Sequence, residues 1–278
     1  MRFGVHIFPT EESIQPEELA RAVEDRGLES LWFSEHTHIP VRFLNTEAGK
    51  SLPDYYWQTY DLFIAMTLAA AATKQIKIGS GVSLVIERDP IHLAKETATL
   101  DRVSGGRLIF GVGAGWLEAE MADHGVAYRT RFQLLQEQLQ AIKQIWATDE
   151  PEYHGQFVNF DPMRSFPKPI QQPHPPIIMG GGGEKSIECA AQVCDGWAPW
   201  LLEWPNGKGK ISQLRQLTAE NGRDRDSLEI SLFKKSVPNE ETMAEMEAAG
   251  VSRIILTLFD QNRETALPAL DLLSRTSH

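Results

Sequence analysis

Only two cysteines, Cys189 and Cys194, stand in 278 residues. That scarcity excludes a disulfide-stapled fold, and the pair, five apart on an expected helix, falls off a common face and matches no zinc spacing. Both are read as reduced core residues. Positive charge is short as well: 27 Lys and Arg against 38 Asp and Glu leave a net charge of -11. General nucleic-acid binding needs a cationic surface that releases phosphate counterions, so it is not expected here, although a local basic pocket is compatible with the count. No apolar run reaches the roughly 18 residues of a membrane-spanning helix. The opening MRFGVHIFP meets a proline and then acids, without a signal-type apolar core or a small-residue cleavage site. The expected location is therefore the cytoplasm. No cluster of His, Asp and Glu recurs with ligand spacing, so no metal is expected.

What is present is an ordinary globular composition, 42% hydrophobic and 23% charged, enough to bury a core without crosslinks. Strand-like and helix-like segments alternate along nearly the whole chain. RFGVHIF, ESLWFSEH, IKIGSGVSLV and RLIFGVGAG read as the first four strands, and PIIMGGGG, GWAPW, LEISLFKK and RIILTL as four more. Between them lie helical patterns with local punctuation: Pro16 opens one and Gly27 ends it; Asp89 and Pro90 suit the N-cap and first position of another, which Gly105 or Gly106 ends. YDLFIAMTLAAAAT reads as a largely buried helix. Several strands are continuous apolar runs, as parallel strands covered by helices should be. Eight strand–helix units in one chain favour a closed (β/α)8 TIM barrel, a single domain over 1–278, above an open sheet with edges. Residues 150–175 break the rhythm with turn residues, aromatics and prolines and are expected to form an inserted hairpin or strap before strand five.

In such a barrel the functional residues sit just past the C-terminal strand ends. SEHTHIP after strand two puts Glu35, His36 and His38 there. His36 is the candidate acid–base group, with a carboxylate neighbour to orient it; a plain loop histidine is the alternative. After strand three, Ser80, Gly81 and Val82 suit close approach to something flat, or packing at a barrel corner. Gly180, Gly181, Gly182 and Gly183 after strand five precede a helix and can converge N–H groups on a phosphate, with Lys185 and Ser186 as helpers; a flexible turn is the rival. Gly111, Gly113 and Gly115 are spaced like a dinucleotide fingerprint, but Trp116 stands where its third glycine belongs, and the stretch follows a fourth strand rather than a first. Gly113, Gly115 and Trp116 are instead assigned to the floor or wall of a cofactor site. The loop from about residue 38 to 60 carries Tyr56 and Trp57, which with His38 are candidates for a substrate pocket.

Taken together, IKIGSGV, HLAKETATLDRVSGGRLIFGVGAGW, FPKPIQQPHPPIIMGGGG and CDGWAPW resemble the luciferase-like flavin and deazaflavin oxidoreductases, most closely the coenzyme F-420-dependent branch. The resemblance implies a ring cofactor across the C-terminal mouth, a non-proline cis peptide at Ser80, Gly81 or Val82, His36 beside the reactive ring position and phosphate at Gly181–Gly183. It implies Arg107 as a brace of the barrel bottom. Trp116 replaces the glutamate that the sugar-phosphate dehydrogenase branch carries, and Glu118 and Glu120 come too late to inherit that acid's role. Thr37 separates His36 from His38 where bacterial luciferases carry adjacent histidines, so light emission is not indicated. The implied activity is hydride transfer between a small organic substrate and F-420. FMN with a separate reductase, giving a monooxygenase, is the alternative, and a cofactor-free binding barrel is another. Lys50, Lys168 and Lys185 are candidates to balance an acidic cofactor tail. A homodimer is expected.

Overall fold

A computed structural model describes residues 1–200, 202–204, 206–259 and 261–276. Eight parallel strands close on themselves: β1 (Arg2–Ile7), β2 (Ser30–Phe33), β3 (Lys77–Ser80), β4 (Leu108–Gly113), β5 (Ile177–Gly180), β6 (Gly196–Ala198), β7 (Glu229–Lys234) and β8 (Val251–Thr257). The seam is made by β8 on β1, with Arg2 opposite Arg253 and His6 opposite Thr257, and every other neighbour is parallel, including β3 on β4 through Ile78 and Leu108. The eight covering helices are α1 (Pro16–Asp25), α2 (Leu62–Ala72), α3 (Pro90–Ser104), α4 (Arg131–Ala147), α5 (Glu184–Val193), α6 (Asn206–Glu220), α7 (Glu240–Ala248) and α8 (Arg263–Thr276). This is the expected (β/α)8 TIM barrel. Within 150–175, Tyr153–His154 pairs antiparallel with Asn159–Phe160.

Local chemistry places the helix ends where the sequence signals them. The Asp89 carboxylate accepts from His92 N at 2.8 Å, Pro90 takes the first helical position, and Gly105 closes α3 at φ +72°. Apolar residues facing outward from the strands pack under the helices, while Trp32, Ile109, Ile178, Ala198, Phe233 and Ile255 fill the barrel interior. Trp32 decides its neighbours: a Cβ on Gly79 would stand 2.4 Å from its ring. Below it the buried Arg253 grips Glu29 bidentately at 2.7 and 2.8 Å and also bonds Glu229, plugging the N-terminal end. Arg107, also buried, donates to Ala70, Ile76 and Ser104 carbonyls at 2.6–2.9 Å and so locks α2 and α3 to the same end, the bracing role assigned to it. Cys189 and Cys194 are buried and free. One helix differs from expectation: α2 is apolar all round, and after its inner face is buried Ile64 stays 63% and Leu68 41% exposed. Among the described residues no helix is long and apolar enough to cross a membrane.

Candidate active site

The C-terminal strand ends surround a cavity of about 300 Å³. Its floor comes from the break after β3. The Gly81–Val82 peptide is cis, within the triplet assigned to it. Gly81 N donates to Phe33 O at 2.6 Å, and the Ser34 hydroxyl donates to Gly81 O at 3.1 Å. With that proton committed, His6 Nε2 is the donor to Ser34 Oγ at 2.7 Å, and burial pushes the His6 imidazole down to about 3, against a weaker opposing hydrogen bond from Gly81. His6 is thus a neutral support behind Ser34 and Gly81, which line the cavity. Sequence reasoning missed it, because a histidine inside a first strand carries no motif. Gly81 and Val82 line the cavity, whereas Ser80 does not: it is fully buried, and its hydroxyl donates to Gly111 O at 2.7 Å. Val82 explains the glycine ladder. A Cβ on Gly113 would meet Val82 Cγ2 at 2.6 Å, and one on Gly180 would meet Val82 Cγ1 at 2.7 Å, so both glycines make room for that side chain. Gly113, Gly115, Gly180 and Gly181 all line the cavity.

His36 lies on the wall, and its partner is the acid that the sequence had set aside. A short helix, Glu118–Asp123, turns Glu120 inward to 1% exposure, with Oε2 at 2.7 Å from His36 Nδ1 and Oε1 accepting Thr37 N–H at 3.0 Å. Glu35, the expected neighbour, turns the other way. It accepts from Leu84 N at 2.6 Å, Ser83 Oγ at 3.1 Å and Arg88 Nε at 2.8 Å, pinning the segment after the cis peptide. The separation of 84 positions between His36 and Glu120 hides their pairing from any spacing rule.

Aromatic rings close the walls. Tyr56 lies 5.1 Å and Trp116 6.0 Å from the His36 ring, with Phe8, Phe132 and Trp200 around them. Two pocket assignments are corrected. His38 points outward to Asp123 at 3.2 Å, held there by Thr37 Oγ1 at 2.9 Å on its other ring nitrogen. Trp57 is absent from the cavity wall and 37% exposed, since the helical turn Tyr55–Gln58 directs adjacent side chains apart.

The far end of the cavity meets α5. Gly183 caps that helix without any side-chain bond, a Cβ there would meet nothing within 4 Å, and Gly181 adopts φ +84°. Gly182 and Gly183 lie beyond the lining, at this edge. The cation beside them is Lys210 of α6, whose Nζ donates to Gly182 O, while Lys185 is turned to Glu188 at 2.7 Å. Ser186 lines the cavity. Lys50 pairs with Glu47 and Lys168 donates to Ile145 O at 2.6 Å, so neither points into the mouth. An apolar floor, aromatic walls and an uncapped helix N-terminus with a nearby lysine fit a flat cofactor bearing a phosphate. Among the described residues no group of His, Cys, Asp and Glu is placed to hold a metal.

The molecule is thus a (β/α)8 TIM barrel with an apolar, aromatic-walled cavity at its C-terminal mouth. The family profile described as luciferase-like monooxygenase matches residues 1–269, and the chain belongs to that family. An uncharacterized protein of Mycobacterium tuberculosis is 35% identical over 279 residues, spanning 99% of this chain and 98% of its own. The FMNH(2)-dependent dimethylsulfone monooxygenase of Pseudomonas putida is 31% identical over 159 residues, 55% of this chain and 42% of its own. Among solved structures, an F420-dependent secondary alcohol dehydrogenase in complex with an F420-acetone adduct shares the fold, with a TM-score of 0.77 at 17% identity over 98% of both chains.

Proposed function

We propose that the protein is an oxidoreductase that moves a hydride between a small organic substrate and bound coenzyme F-420. The observation that carries this reading is the buried His36–Glu120 pair on the wall of an apolar cavity floored by the Gly81–Val82 cis peptide. When bound, the deazaflavin supplies the two-electron chemistry that no side chain offers. The chain's own residues handle the proton. Glu120 accepts the His36 Nδ1 proton, which leaves the Nε2 lone pair for the cavity. Nε2 takes the hydroxyl proton of an alcohol as its C–H hydride departs, or returns it to the carbonyl oxygen in reverse. Glu120 then faces an imidazolium and stabilises it. Tyr56, Trp116 and Phe132 exclude water, and Gly182, Gly183, Ser186 and Lys210 would hold the phosphate.

A second reading, an FMN-dependent monooxygenase fed by a separate reductase, is favoured by the likeness to the Pseudomonas enzyme. Titration separates the two. Trp116 and Trp200 stand in the wall, so binding should quench tryptophan fluorescence. F-420 is expected to bind more tightly than FMN; the reverse order moves the assignment to the monooxygenase, and no quenching with either removes both. Gly182→Asp is expected to abolish binding. His36→Asn should spare binding and slow F-420 reduction by small secondary alcohols by about a hundredfold.

A further inference from the structure

Behind His36, on the side away from the cavity, stands a file of polar groups that hydride transfer does not use. Thr37 Oγ1 lies 3.4 Å from Glu120 Oε1, 2.8 Å from His124 Nε2 and 2.9 Å from His38 Nδ1. His124 Nε2 in turn is 3.8 Å from Glu87 Oε2. None of Thr37, His124 or Glu87 lines the cavity. Glu87 is the anomaly in this file: its side chain is 1% exposed, and its Oε2 has no hydrogen-bond partner. A buried carboxyl oxygen left without a donor is costly, and the ionisable group that stands 3.8 Å from it is a titratable imidazole.

We propose that Glu87 and His124 form a second titratable pair behind His36, and that its charge, passed through Thr37 to Glu120, sets how readily His36 takes a proton. The inference rests on the oxidoreductase reading, and Thr37, His124 and Glu87 are positioning residues in it. Hydroxyl arithmetic supplies the link: Thr37 has one proton to give, and His124 Nε2, His38 Nδ1 and Glu120 Oε1 are all within its reach. When His124 Nε2 carries a proton and donates to Thr37, the hydroxyl is free to donate to Glu120; when Nε2 is bare, the hydroxyl proton can turn to it and Glu120 loses a donor. The state of the outer pair is thereby felt at Glu120 and, one bond further, at His36.

The groups facing Glu87 favour its neutral form. Glu120 and Glu35 are like charges, Arg88 is the single opposing cation, and burial with the two carboxylates pushes the Glu87 carboxyl up to about 8. His124 itself faces Glu87, Thr37 and the His38 ring, whose centroid is 5.6 Å away; His38 is bound in turn to Asp123, which also accepts from Arg42.

The decisive measurement is histidine NMR on the full chain without cofactor, so that its outcome is separate from that of the F-420 titration. In the wild type, the His124 and His36 resonances are both expected to change in chemical shift as Glu87 loses its proton near pH 8. In Glu87→Gln both changes near pH 8 should vanish, and in Thr37→Val the His36 change should shrink while His124 keeps its own. His6, held neutral by burial, serves as the resonance that does not move across this range. Turnover should follow: the kcat profile of Glu87→Gln loses its inflection near pH 8 while KM stays the same. Glu87→Asp keeps the carboxyl and should restore part of the chemical-shift change. A His124 or a His36 resonance indifferent to Glu87→Gln in a folded protein overturns the inference.

Discussion

Glu87→Gln should make the protein more stable at pH 8 and leave it unchanged at pH 4. A carboxylic acid held up to about 8, against an ordinary 4.5, stays protonated in the fold while the unfolded chain has already ionised. The sign follows from linkage. Below the unfolded value both states carry the proton and nothing is lost; as pH rises toward the folded value, the unfolded state gains about 1.4 kcal/mol per unit that the folded state does not. Carried to pH 7 this is at most about 3.5 kcal/mol, and with solvent screening through the partly exposed His124 beside it we expect about 2 kcal/mol. Glutamine keeps the shape of the neutral acid and removes the titration. For a chain of this size that gain corresponds to a rise of about 4 °C in Tm. Urea or thermal unfolding at several pH values between 4 and 8 reads the difference. A constant offset across the range, or a wild type that is more stable than the variant at pH 8, would refute both the burial of Glu87 and the repulsion assigned to Glu120 and Glu35.

Arg107→Met should destabilise the fold by about 3 kcal/mol or more, because several buried carbonyls lose their donor at once; cofactor affinity, measured by the same fluorescence titration, should not change, since Arg107 is at the opposite end of the barrel. Ile64→Glu combined with Leu68→Glu tests the proposed homodimer: light scattering after gel filtration should give a monomer for the variant and twice that mass for the wild type. A wild-type monomer removes that proposal.

Much of the barrel could be read locally. Asp89, Pro90 and Gly105 mark the bounds of α3 because caps depend on residues three or four apart, and the continuous apolar strands announce burial on both faces without reference to any partner. The family motifs likewise sit within short windows, which is why the Gly81–Val82 break and the glycines after β4 and β5 can be picked out from the sequence. Even there the reason for the glycines needed the fold: it is Val82, not a ligand alone, that forbids a Cβ at Gly113 and Gly180.

The functional pairings were decided elsewhere. Glu120 was set aside on its distance from the strand-four glycines, yet the short helix after β4 swings it onto His36, 84 positions away. Lys185 was named as the phosphate helper by adjacency, but helical direction sends it to Glu188, and Lys210 arrives from the next helix. His6, Glu87 and His124 carried no motif at all; their roles come from burial and from what the neighbouring loops bring against them. Sequence by itself determined the strands, the helix ends and the barrel, because those follow from periodicity and backbone preference over a few residues. Which carboxylate meets which imidazole is set by how loops from different strand ends pack at the mouth, and only the tertiary structure decides that.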